Sequence, residues 1–124
     1  MPKIVALFQR NPALSPDEFR DHYEQSHVPL IMDQARPFIT GYSRSYLDYS
    51  DPYSILGPGL KAQGGVPAFD VMTQLEFRDR DAMEGFFRAG REPELAARKR
   101  ADEKRFLALD QSIILVSNHV KTSL

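Results

Sequence analysis

Cysteine is absent from all 124 residues. Its absence excludes disulfides, thiolate nucleophiles and cysteine-ligated zinc or iron–sulfur centres, so the fold rests on packing. Neither sign of charge dominates, with 16 Lys and Arg against 17 Asp and Glu and a formal net charge of −1. A nucleic-acid footprint needs a clustered excess of bases, so a small molecule or another protein is the expected partner. No stretch approaches the roughly 20 apolar residues of a membrane span, and "MPKIVALFQR" is too short and lacks the tripartite order of a secretory signal. The expectation is a cytoplasmic protein without membrane contact. A glycine-rich phosphate loop, an internal repeat and low-complexity sequence are also missing. The length fits one domain over residues 1–124.

What is present divides into short, well-punctuated segments. "KIVALFQ" (3–9) has the residue types of a strand apolar on both faces. After Asn11 and Pro12, Ser15 stands as N-cap with Pro16 at the first helical position and Glu18 three residues on, a capping box. The helix is expected to run from Pro16 to about Ser26, because Pro29 removes an amide and pushes Val28 from helical angles, with a further turn possible through "LIMDQA". "ITGYSRSYLDY" (39–49) alternates with period two and puts Tyr42, Arg44 and Tyr46 on one face. Residues 50–68, rich in Gly and Pro, read as a long loop able to border a pocket, with Tyr53, Ile55 and Leu56 as apolar contacts for a ligand. "FDVMTQLEF" (69–77) predicts a third strand and "QSIILVSNHV" (111–120) a fourth, again apolar on both faces. Between them lie "DRDAMEGFFRAG", with Gly90 as a C-cap, and "EPELAARKRADEKRFLAL".

The order β-α-β-β-α-β predicts an α+β, ferredoxin-like fold: a four-stranded antiparallel sheet with helices on one face. One face then lacks a cover, although the first and last strands are apolar on both sides. A homodimer with sheets face to face follows as the expectation.

Two of the three histidines stand in "EFRDHYEQSHVPL" (18–30). Being five apart, His22 and His27 sit about 140° from each other on a continuous α-helix at roughly 100° per residue. They cannot share a metal there, which wants spacings of three or four. The pattern "R-x-P-x-L-S-x-x-x-F" followed by "H-Y-E-x-x-H-x-P-L", with looser matches at "GYSRSY", "ADEKRFLAL" and "SNHV", resembles the EthD-like family of the dimeric α/β-barrel superfamily. The resemblance implies a small dimer, often without cofactor, acting on aromatic, polyketide or lactone substrates. It places the family's helix histidines on His22 and His27 and its tyrosine on Tyr23. Gln74, Ala108 and Asn118 depart from acids in that pattern, which weakens a mechanism built on a carboxylate–histidine pair and leaves metal binding without ligands.

Read from the residues, Phe19 and Tyr23 belong to a core stripe and His22 to its margin, supporting the helix. His27, where the chain is expected to turn, is the candidate acid or base. Arg44 with Tyr42 and Tyr46 offers a planar fork and hydroxyls for an oxyanion, or equally a dimer contact, and Asp70 is placed to orient Arg44 across strands. His119 reads as structural, Met83 and "FF" (86–87) as packing, and "RKRADEKR" (98–105) as a solvated face. The expected function is a cofactor-independent lyase or isomerase (decarboxylation, dehydration, cyclisation or isomerisation) on a small hydrophobic or aromatic substrate. The alternatives are a non-enzymatic binding module and a cofactorless or haem-linked oxygenase.

Overall fold

A computed structural model describes residues 2–59 and 69–124. Four strands, β1 (Pro2–Phe8), β2 (Ile39–Tyr46), β3 (Val71–Phe77) and β4 (Ile113–Asn118), form one antiparallel sheet in the order β2-β3-β1-β4. The alternation in β1 and β3 is strict: Ile4, Ala6 and Phe8 are buried, as are Val71, Thr73, Leu75 and Phe77, while the residues between them are half-buried. Helices cover that first face.

The helix after β1 is longer than the sequence suggested. It runs as α1 (Pro16–His22), a π-helical turn (Tyr23–His27) and α2 (Val28–Ala35) without a break. Ser15 caps it as expected, its hydroxyl accepting from the Glu18 amide at 3.1 Å while its own amide donates to Glu18 Oε1 at 2.9 Å. Pro29 does not end the helix. The wide turn, closed by the Val28 amide bonding to the Tyr23 carbonyl, relaxes the helical ladder where a proline would otherwise collide with the preceding turn. Pro29 therefore sits in the first turn of α2, where its missing N–H goes unused.

After β3 come α3 (Arg80–Gly90), capped by Asp79, α4 (Pro93–Phe106), capped by Glu92, and a 3-10 turn at Leu109–Gln111. Gly90 is the last helical residue of α3 rather than the residue beyond it, and it makes room for Gln34: a Cβ there would lie 2.5 Å from Gln34 Nε2.

Two apolar clusters fill the space between helices and sheet. One joins Ile4, Leu75 and Phe77 to Ile31, Ala35, Met83 and Phe86; the other joins Phe8 and Val71 to Phe19, Tyr23 and Phe106. The opposite face of the sheet, with Val5, Leu7, Met72, Ile113 and Leu115 in register across β3, β1 and β4, has no helix over it among the described residues. The edge strand β4 is open on both faces, Ile114 being 57 % and Leu115 53 % exposed.

Phe106 is fully buried and stands within ring-packing distance of Phe19, Tyr23, His22 and His27, at 5.7, 5.6, 4.7 and 4.9 Å between centroids. Phe106→Ala should lower the unfolding free energy by about 3–5 kcal/mol, the usual cost of emptying so large a core site, read from urea unfolding.

Candidate active site

The π turn decides the geometry. Five residues of α-helix separate two side chains by about 140°, but a turn closed by an i→i+5 hydrogen bond stacks them one above the other. His22 and His27 consequently face the same way and meet one carboxylate. Asp102 of α4 accepts from His22 Nε2 at 2.9 Å through Oδ1 and from His27 Nδ1 at 3.0 Å through Oδ2. The Ser26 hydroxyl donates to Oδ1 at 2.6 Å.

Burial alone would raise the Asp102 pKa, but the bonds from Ser26, His27 and His22 outweigh it and hold the carboxyl below its ordinary 3.8. An ionised carboxylate only accepts. Each imidazole must therefore carry its proton on the nitrogen facing Asp102, which leaves the His27 Nε2 lone pair to the opposite side of the ring. Burial pushes the His27 pKa below its ordinary 6.5, against the pull of Asp102 in the other direction. The ring is neutral at physiological pH and able to take a proton.

This corrects two readings of the sequence. The acids missing at Gln74, Ala108 and Asn118 are replaced by one from elsewhere, so a carboxylate–histidine pair is present. The run 98–105 is not wholly solvated either: Asp102 is buried, Lys99 and Glu103 are half-buried, and only its other residues face water. The spacing Lys99, Asp102, Glu103, Phe106 marks an inward helix face anchored by one aromatic, a signal the density of charge conceals.

His27 lines a cavity of about 300 Å³ between sheet and helices, with Tyr23, Tyr42, Thr73 and Gln34 as uncharged polar lining residues, Arg91, Lys99 and Glu103 as charged ones, and apolar ones such as Ile4, Phe8, Ile31, Leu75 and Phe86. Tyr23 has no exposed surface, and its hydroxyl is hydrogen-bonded to that of Thr73 at 2.5 Å. Burial raises the pKa of both tyrosines, so each keeps its proton and can donate. Gln34 Nε2 donates to the Phe86 carbonyl at 3.0 Å, while Oε1 is buried without a partner.

The other candidates lie elsewhere. His22 is outside the cavity lining, stacked on Phe106. Arg44 does not offer a free fork to a ligand: it grips Glu24 through Nε at 2.9 Å and Nη2 at 2.5 Å, and the Tyr46 hydroxyl donates to the same carboxylate at 2.5 Å. Arg44 reaches the site only by lying over the Tyr42 ring, 4.7 Å from its centre. Asp70 orients Arg10 rather than Arg44, accepting from its backbone amide at 2.8 Å and pairing with its side chain at 3.3 Å. Adjacent strands place Asp70 near β1 because the Asp70 amide bonds the Phe8 carbonyl. Tyr53 and Ile55 are 93 % and 87 % exposed, and none of residues 50–59 lines the cavity. The rest of the expected lid, 60–68 with Gly64 and Gly65, falls outside the described residues. His119 is exposed beyond β4. Among the described residues no group of three or more His, Asp or Glu side chains is arranged to hold a metal ion.

The strand order and the one-sided helix layer define a ferredoxin-like α+β protein. An EthD domain model matches residues 11–110, and the chain belongs to the EthD domain family. Among solved structures it is similar to an EthD family protein of Bacillus halodurans, at 18 % identity and a TM-score of 0.61 over 97 % of this chain and 99 % of that one. It is also similar to a dimeric ferredoxin-like protein of unknown function from Thermobifida fusca (16 % identity, TM-score 0.56, 94 % and 88 % covered). A third is the cofactor-independent oxygenase SnoaB of Streptomyces nogalater (13 %, 0.53, 98 % and 94 %). No curated protein matches the chain in sequence.

Asp102→Asn removes the charge that raises the His27 pKa. The His27 midpoint, followed by NMR titration of the ring protons, should fall further below 6.5, and the fold should lose about 1–3 kcal/mol as buried donors lose a charged partner.

Proposed function

We propose that the chain is a cofactor-independent lyase or isomerase in which His27 moves a proton on an aromatic, polyketide-like or lactone substrate held in the helix–sheet cavity. The observation that carries this reading is the neutral imidazole locked in one tautomer by Asp102 at the wall of an apolar cavity. His27 Nε2 takes a proton from the substrate and returns it to another position or to the leaving group. The hydroxyls of Tyr42 and Tyr23, protonated and desolvated, supply hydrogen bonds to the oxyanion that forms. An engineered cavity of about 150 Å³ accepts one benzene ring, so about 300 Å³ suits roughly two fused rings.

An oxygenase reading shares the first step, since a deprotonated electron-rich ring can pass electrons to dioxygen. The likeness to SnoaB recommends testing turnover with and without oxygen. The non-enzymatic binding module differs from both in needing no base.

With a substrate found by screening aromatic acids and ketones, His27→Ala should lower kcat by about 10²–10⁴-fold, and His22→Ala should chiefly cost about 1 kcal/mol of stability. Because His27 acts as the free base, kcat/KM of the unaltered protein should rise with pH through a midpoint below 6.5 and stay level above it. An unimpaired His27→Ala protein would refute His27 as the base and move the role to His22 or the Tyr42–Arg44–Tyr46 face, whereas ligands that bind without turnover would leave only the binding role.

A homodimer through the sheet faces belongs to the same reading. The uncovered side chains Val5, Leu7, Met72, Ile113 and Leu115 supply a common apolar surface, and the Thermobifida fusca neighbour is described as dimeric. Sedimentation at micromolar concentration should give twice the 14.1 kDa of the chain; a stable monomer would refute it.

A further inference from the structure

The inward face of α4 brings a charge to the cavity that the acid–base reading leaves unused. Lys99 lines the cavity with Glu103 one turn further on, and Arg91, just past α3, lines it too. Lys99 is half-buried, yet no carboxylate comes within 4.0 Å of its ammonium among the described residues. Its neighbour Arg98 differs, facing solvent and pairing with Asp33 at 3.6 Å. Glu103 is the acid nearest in sequence on this face; burial raises its pKa while the charge of Lys99 lowers it, and the two side chains make no ion pair. Burial lowers the Lys99 pKa and the charge of Glu103 only partly offsets it, so a partly desolvated cation with no close ion pair is costly, and an anion brought in by a ligand relieves that cost with charge-assisted hydrogen bonds.

We propose that the guest of the cavity is an aromatic acid whose anionic group takes Lys99 as its counter-ion, while its rings lodge against Ile4, Phe8 and Leu75. This rests on the reading of the cavity as a ligand site. The charge of Lys99 is felt at His27, so an acid group bound there stands beside the base. The substrate class narrows to aromatic carboxylates and ionised phenols.

Naphthoate and naphthamide share a shape and differ in charge. Titration at neutral pH, by calorimetry or intrinsic fluorescence, should show the wild-type protein binding naphthoate about tenfold to a hundredfold more tightly. Lys99→Met, which keeps the linear stem, should bind the two alike, and Lys99→Arg should keep most of the preference. Equal affinities in the wild type, or a preference surviving in Lys99→Met, would overturn the assignment. Should Lys99→Met not fold, Lys99→Gln serves in its place, and the wild-type comparison decides independently. Failure of the wild type to bind either compound would refute the cavity as an aromatic site and the proposed function with it.

Discussion

Asp102 is the point on which the arrangement turns. One carboxylate ties Ser26 and His27 of the π turn, and His22 just before it, to α4, and Phe106 packs both imidazoles from one turn further along the same helix. The interaction is cooperative in a simple sense. Each donor needs the acceptor ionised, and three donors make ionisation favourable despite burial. Without the wide turn, His22 and His27 would diverge and one of them would leave Asp102 unserved.

The two shifts act in separate pH windows. Unfolded, His27 takes up a proton below its ordinary 6.5, and folded it does so only at lower pH, so stability falls as the pH drops from 6.5 through the folded midpoint. Asp102 is shifted downward as well, and its contribution is intact until the pH falls below 3.8. Mild acid therefore acts on the His27 ring before it acts on the carboxylate that positions it. Glu24 stands apart, held low by Arg44 and with Tyr46 closing the group. That cluster clamps β2 to the π turn and steadies Tyr42 from outside the cavity.

Much of the fold was legible because period-two and capping signals are local. The Ser15 box, the alternation of β3 and the two-sided apolarity of β4 needed no knowledge of distant residues. The exposed face of the sheet was legible for the same reason. The site was only partly so. His27, Tyr23 and Tyr42 were singled out and do share the cavity, but the expected helix end at Pro29 was absent, since a π turn has no strong composition and proline tolerates the first turn after it. Asp102 escaped notice because its neighbours Arg98, Arg100, Lys104 and Arg105 dominate the pattern, and its partners lie about 75–80 residues away in sequence. Arg44 was left between an oxyanion and a dimer contact because nothing local reveals that Glu24, on another element, already holds it.

Strand β4 carries a hazard of its own. Ile113, Ile114, Leu115 and Val116 follow one another without a charge, on the edge of the sheet formed by the described residues and with exposed side chains on both faces. Such a segment is a template for pairing with any other extended chain, and flanking charge is the usual protection. Here the nearest charges in sequence, Asp110 and Lys121, lie outside the strand. A cover over this edge would guard against fibrillar association, and partial unfolding that frees β4 further would favour aggregation over a single chain.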